Sequence, residues 1–273
     1  MNKFITAALA LVIALAAAAC AGKTPEGAGQ TEVIVFAAAS MTETLEEIAV
    51  LYAEAEPDVT LTFNFDSSGT LKTQIQAGAE CDLFISAGQL QMNQLDIDAP
   101  GDINTDRLDF VDGETRIDLL ENRVALAAPD GNPKNIGGFG DLPGIFAAGD
   151  TLMAMGNADV PVGQYTQRIL AYLGLDEEEL ARNGRITYGS NVKEVTTQIK
   201  EASVDFGVIY CTDAYSAGLD IIDYATAGMC GQVVYPAAVL KTAANPEAAA
   251  AFLDFLTTDG AMAVFEAAGF SKP

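Results

Sequence analysis

The chain has 273 residues, half of them apolar, with 38 acidic against 14 basic side chains and a formal charge of −24. That balance argues against nucleic acid or an anionic lipid surface as a partner, and the apolar half argues against a disordered chain. Histidine is absent, which removes Ser-His and Cys-His nucleophile pairs and every His-based zinc site at once.

Lys3 is followed by an apolar run from Phe4 to Ala19, interrupted only by Thr6 and ended by small residues and Cys20. About 16 residues is short of the roughly 20 that a membrane-spanning helix needs, so residues 1–19 read as a signal peptide. Residues 20–30 are Gly/Lys/Pro/Glu-containing linker. Cys20, directly after Ala17-Ala18-Ala19, resembles a lipobox cysteine; a diacylated Cys20 would tether the exported chain to the outer face of the cell membrane or in the periplasm. Ordinary cleavage after a small-x-small site is the alternative. Removing residues 1–19 takes away Lys3 and no acid, leaving 13 basic against 38 acidic residues, a charge of −25.

From Glu32 the pattern is strand, small-residue turn, amphipathic helix, repeated. Val33–Phe36 reads as a buried strand, and Leu45, Ile48, Ala49, Leu51 and Tyr52 recur at helical spacing up to Pro57. Val59–Phe65 alternates as a strand, Gly69–Ala77 reads as a helix closed by Gly78, and Asp82–Ser86 is another buried strand. Gln89–Asn122 is polar, acidic and weakly periodic, and is expected to be surface helix and loop. A second set begins at Val124–Pro129 and continues through strands at Thr151–Met155, Phe206–Tyr210 and Asp220–Tyr224. Helices are expected at Gln164–Leu173 and Lys193–Ala202. Val233–Leu240 looks like a returning strand, and helices at Pro246–Thr257 and Asp259–Ala268 close the chain. Alternation of this kind is α/β with a parallel sheet. Besides Cys20, the cysteines Cys81, Cys211 and Cys230 are too scattered for a metal knuckle, and either one disulfide with a spare thiol or three buried thiols fits the spacing.

The chemistry is concentrated where a strand gives way to a hydroxyl or small residue that opens a helix. Ser40 with Glu43 has the S-x-x-E capping-box spacing. Ser67-Ser68-Gly69-Thr70, Pro161-Val162-Gly163 and Asn191-Val192-Lys193-Glu194 open three further helices. Each such terminus presents unpaired N–H groups and the positive end of a helix dipole, and in a parallel α/β sheet these termini lie at the carboxyl ends of the strands. Several converging would wrap an anion without Lys or Arg; taken singly, each Ser or Asn is an ordinary cap.

Six stretches, namely Phe36–Ser40, Asp66–Leu71, Ala79–Ala87, Val160–Tyr165, Gly207–Tyr210 and Val234–Val239, together resemble the periplasmic molybdate-binding protein family, in the family's order and across about Thr31 to Pro273. The resemblance implies a two-lobe periplasmic-binding-protein (type II) fold, each lobe a mainly parallel sheet flanked by helices, with two crossover hinge segments near Ala125 and Pro236. The first lobe would combine residues 31–124 and 235–273, and the second would be residues 125–234. It implies that Ser40 and Ser68 offer hydroxyl and backbone N–H donors, Val162 and Val192 backbone N–H, and Tyr210 its phenol. The ligand would be molybdate or tungstate, held through its oxygens with no direct protein–metal bond. The partners would be an ABC permease and its ATPase, with a monomeric receptor and no cofactor or catalysis. The chain departs from the commoner family pattern at Val162, where Ala is frequent, at Cys211, where Gly is frequent, at Cys81, and in a longer acidic stretch from Asp96 to Asp118.

Competing readings rest on less. Ser190-Asn191-Val192-Lys193 matches the S-x-x-K of acyl-enzyme serine hydrolases, but S-D-N, K-T-G and G-x-S-x-G are all missing. A glycosidase could draw on the many carboxylates, yet Trp is absent and few aromatics adjoin the acidic clusters. A same-fold receptor for sulfate, phosphate, an organic acid or a metal ion remains; for an organic acid, an Arg at a helix opening would be expected, and none is present.

Overall fold

In the computed structural model the described residues are 30–273, so the signal peptide, Cys20 and all of the linker but Gln30 lie outside the described residues. The opening apolar run forms β1 (Thr31–Ala38), which passes through a 3-10 turn at Ala39–Met41 into α1 (Thr42–Ala55). α1 buries Leu45, Ile48 and Tyr52, and the Tyr52 ring meets Phe252 and Phe255 at centroid distances of 4.9 and 5.0 Å, so the helix is fixed by its apolar stripe. β2 (Val59–Asp66), α2 (Ser68–Gln76), β3 (Leu83–Ile85) and α3 (Gln89–Asn93) follow.

The segment expected to be surface helix and loop up to Asn122 is not all surface. It ends in β4 (Ile117–Asn122), whose Leu119 and Leu120 are buried. Asp118 and Glu121 break the apolar run, as is usual on an edge strand, which is why periodicity alone missed it. The acidic loop before β4 is tied down: Asn104 donates to the carbonyls of Asp96 and Leu108, and Arg116 pairs with Asp96.

The second lobe holds β5 (Val124–Ala127), α4 (Leu142–Ala148), β6 (Met153–Gly156), α5 (Pro161–Tyr172), α6 (Glu177–Arg182), β7 (Ile186–Gly189), α7 (Val192–Lys200), β8 (Phe206–Tyr210), α8 (Cys211–Ala217), β9 (Ile221–Tyr224) and α9 (Ala227–Cys230). The chain then returns to the first lobe as β10 (Val233–Val239), α10 (Pro246–Leu256) and α11 (Asp259–Ala268).

The sheets run β2-β1-β3-β10-β4 and β7-β6-β8-β5-β9. In each, three strands joined through helices are parallel; the next strand, β10 or β5, is antiparallel to both of its neighbours, so the outer strand, β4 or β9, points the same way as the first three. The sheets are therefore mixed but mainly parallel in direction: four strands of each point the same way, and only β10 and β5, the strands by which the chain enters each lobe from the other, run against them. The first crossing is at Arg123. The second lies ahead of Val233, since Val233 and Val234 already pair with Asn122 and Glu121. Pro236 sits in the interior strand β10 at a register shift after Tyr235, the kind of bulge that tolerates a residue without an N–H.

Candidate functional site

The carboxyl ends of the parallel strands of both lobes meet across one cleft, and there the helix openings converge. Ser40, Ser68, Val162, Val192 and Tyr210, the five residues singled out in the sequence, all line a single small cavity. Ser40 comes from the 3-10 turn after β1, Ser68 from the first residue of α2, Val162 and Val192 from the first turns of α5 and α7, and Tyr210 from the N-cap of α8. First-turn amides have no intrahelical acceptor, so their N–H groups are available to a ligand. Among the described residues no Lys or Arg lines the cavity; its one charged lining group is Asp66.

Local capping differs from expectation at two openings. The Ser40–Glu43 capping box does not form: α1 starts only at Thr42, and Ser40 Oγ lies 2.8 Å from the Tyr235 phenol instead. At α2 the cap is Ser67, whose Oγ accepts from the Thr70 N–H at 3.1 Å, which frees Ser68 from that task. Asn191 caps α7 as its position suggests, accepting from Glu194 N–H at 3.1 Å. α5 opens with Pro161 in its first turn, where a missing N–H costs nothing. Gly163 lets that turn pack onto the end of β6: a Cβ there would fall 2.2 Å from the Asn157 carbonyl oxygen.

The lobes touch around the cavity. Asn191 donates to Asp66 Oδ1 at 3.2 Å, and Tyr210 donates to the Ala87 carbonyl at 3.4 Å. Lys193 Nζ reaches both carboxylate oxygens of Glu43, at 2.8 and 2.7 Å, from the opposite side. It also sits 3.4 Å from Oδ1 of Asp213, within ion-pair range but out of line for a hydrogen bond. Gly69 makes the closest approach of all, since a Cβ on it would lie 2.1 Å from the Asp159 carbonyl oxygen across the cleft.

Burial sets the protonation states. Tyr210 is fully enclosed, and desolvation, then the neighbouring Tyr235 and Tyr165, hold its phenol well above the ordinary value, so it stays a neutral donor. Tyr235 is raised likewise, first by burial. Asp213, with no exposed surface, is pushed up to about 7 by desolvation, against the lowering pull of Lys193.

Tyr235 escaped sequence reasoning as a site residue, although it lies in the Val234-Tyr235-Pro236 stretch that carries the resemblance. Its phenol touches Ser40, and its ring stands edge-on to Tyr210 with centroids 5.8 Å apart. Ser190 and Lys193 do not form a nucleophile pair: the Lys193 ammonium is engaged by Glu43 and Asp213, and the Ser190 N–H is bound by Glu194. Cys81, Cys211 and Cys230 are three buried free thiols rather than a disulfide and a spare.

A family profile described as bacterial extracellular solute-binding protein matches residues 33–271. The chain is 33% identical over 239 residues to YvgL of Bacillus subtilis, whose name describes an ABC transporter substrate-binding lipoprotein, covering 87% of this chain and 85% of that one. It is 32% identical over 246 residues to the molybdate-binding protein ModA of Haemophilus influenzae, covering 89% and 91%. The periplasmic molybdate-binding protein of Azotobacter vinelandii superposes with a TM-score of 0.72 at 23% identity, over 88% of this chain and 99% of that one, which shows the fold. These relatives are solute-binding proteins, not enzymes. With its two mixed sheets and an anion-suited cleft between them, the chain belongs to the bacterial extracellular solute-binding protein family and, within it, to the periplasmic molybdate-binding proteins that its motifs resemble.

Proposed function

We propose that this substrate-binding protein of an ABC importer captures molybdate or tungstate between its lobes and hands it to the permease, which the transporter's ATPase drives. The observation that carries the reading is the convergence of four helix openings and a buried phenol from both lobes on one small cavity with no cationic lining. Oriented dipoles in a desolvated pocket stabilise an anion even on a chain of net charge −24, because the local field decides binding. A cavity this small suits a five-atom anion rather than a sugar or peptide. Phosphate near neutral pH carries a proton that an all-donor lining leaves without an acceptor, a penalty of about 1–3 kcal/mol. Sulfate, unprotonated, is discriminated by size, and a same-fold sulfate receptor is the reading that a sulfate response would favour.

The anion is held through its oxygens, by the hydroxyls of Ser40 and Ser68, by the Tyr210 phenol once its hydrogen turns from the long 3.4 Å bond to the Ala87 carbonyl, and by the amides of Ser40, Ser68, Val162 and Val192, with no cofactor. The receptor acts as an exported monomer tethered through an acylated Cys20. Closure of the lobes over the anion creates the outer surface that the permease reads.

The test is the unfolding midpoint of residues 21–273 with molybdate, tungstate, sulfate and phosphate. A ligand at about 1,000 times its Kd stabilises the folded state by about 4 kcal/mol, which moves the midpoint by roughly 10 °C in a chain of this size. That shift is expected with molybdate and tungstate alone; no shift with any of the four anions sinks the reading.

A further inference from the structure

Resting on the oxyanion reading, we propose that Tyr235 and Asn122 are positioning residues that lock the Ser40 hydroxyl as a proton donor to the cavity, so that the site accepts only a fully deprotonated oxyanion.

The direction of each hydrogen bond follows from groups whose role is fixed. The Arg123 backbone N–H, necessarily a donor, points at Asn122 Oδ1 at 2.7 Å, so that atom is the amide oxygen and Nδ2 is the donor. The Cys211 thiol, donating to the same oxygen at 3.2 Å, agrees. Asn122 Nδ2 therefore spends its hydrogens on Thr212 Oγ1 and on the Tyr235 phenolic oxygen, both at 3.1 Å.

Tyr235 thus accepts from Asn122 and still has its own hydrogen to place. The residue is fully buried, and the remaining partner of its hydroxyl among the described residues is Ser40 Oγ at 2.8 Å. If Ser40 donated instead, the Tyr235 hydrogen would be buried with no acceptor, which native interiors avoid. So Tyr235 donates to Ser40, and the Ser40 hydrogen is left to face the cavity that the residue lines. The high proton affinity that burial gives the Tyr235 phenol keeps that hydrogen in place at any physiological pH.

Ser68 is primed in the same sense by a shorter route. Its Oγ accepts from the Ala87 backbone N–H at 2.9 Å, which leaves its own hydrogen free on the cavity side. Both serines therefore have a lone pair engaged from behind by a donor that cannot be reversed without stranding a buried hydrogen. The selectivity against protonated anions then resides in Tyr235 and Asn122 as much as in the serines, although Tyr235 and Asn122 are absent from the cavity wall.

Tyr235→Phe removes the relay and keeps the ring packed against Tyr210 and Phe270. Ser40 can then turn and accept. Calorimetric titration of residues 21–273 at pH 7.5 with molybdate and with inorganic phosphate reads the effect. Molybdate affinity is expected to fall about tenfold, the size of one charged-group hydrogen bond. Phosphate affinity rises, so the molybdate-to-phosphate ratio drops by more than tenfold. Ser40→Ala, which loses the donor without gaining an acceptor, weakens molybdate with no gain for phosphate. Should Tyr235→Phe not fold, Asn122→Ala frees the Tyr235 hydroxyl to turn and is expected to lower the same ratio. An unchanged ratio in the folded variant overturns the relay. A wild-type protein that binds neither anion overturns the oxyanion reading itself, a separate outcome.

Discussion

Gly69→Ala provides the sharpest test of lobe closure, because the substitution acts with opposite sign on the two states of the cleft. In the closed arrangement the added methyl carbon meets Asp159 at 2.1 Å from its carbonyl oxygen and 2.9 Å from its carbonyl carbon. Both are backbone atoms, so no side chain can swing away, and the lobes must part locally by about 1 Å to restore ordinary contact. Overpacking of this kind costs about 1–3 kcal/mol, and that cost falls on the closed, ligand-holding state alone. Affinity for the anion is therefore expected to fall by a factor of about five to about 150. Away from the cleft the change is benign: Gly69 is the second residue of α2, its φ is not left-handed, and Ala is favoured over Gly in a helix by up to about 1 kcal/mol. The ligand-free protein should consequently melt at the same temperature or up to about 4 °C higher. Calorimetric titration and a thermal melt of the same sample give both quantities. Unchanged affinity would refute closure through this contact, and a lowered ligand-free melting point would mean that Asp159 and Gly69 are in contact without ligand.

Lys193→Met and Glu43→Gln each remove the ion pair that spans the cleft; a pair about one-third to one-half exposed is worth about 1 kcal/mol at most. Stopped-flow release of the anion should quicken by up to about fivefold in either variant, with no further change in the double variant if the two act only on each other. Asp213 gives a pH signature. Its folded value of about 7 lies above the ordinary 3.8, so its contribution to stability is complete below pH 3.8 and is lost as pH rises through 7. The full span is about 4 kcal/mol at about 1.4 kcal/mol per unit. Asp213→Asn should flatten the pH 5–8 slope of urea stability and raise stability at pH 8; an unaltered slope would remove Asp213 as the cause. Desolvation pushes the Cys81 thiol up to about 12 and raises Cys211 and Cys230 as well. A chromogenic disulfide reagent should leave native residues 21–273 unreacted over minutes and count three thiols after denaturation, whereas one thiol would mean a disulfide.

Strands with continuous apolar runs were legible from the sequence, because burial on both faces is written directly into Val33–Phe36 and Phe206–Tyr210. β4 was not, since its Asp118 and Glu121 face outward and its burial depends on a partner strand more than 110 residues further along the chain. α8 begins at Cys211, the residue after β8 ends, and nothing in the residue types marks that boundary. Four of the five cavity residues lie at helix openings, whose local chemistry sequence records, whereas Tyr210 was named only through the family resemblance. Which serine caps and which one faces the cavity was not recorded, because Ser67 and Ser68 are the same residue type one position apart, and only the tertiary partner Ala87 separates their roles. Tyr235 stayed hidden for a related reason: its hydroxyl meets Ser40 across 195 positions of sequence.

A cavity lined by dipoles rather than cations leaves its occupant's charge uncancelled. A dianion taken into the cleft is added in full to a chain that is already strongly acidic, so loaded and empty receptors differ in electrophoretic mobility as well as in shape. On the proposed oxyanion reading, unloading is correspondingly simple. No counterion has to be stripped from the cargo; once the cleft parts, water supplies in bulk the same kind of neutral donors that the helix openings supplied in fixed positions.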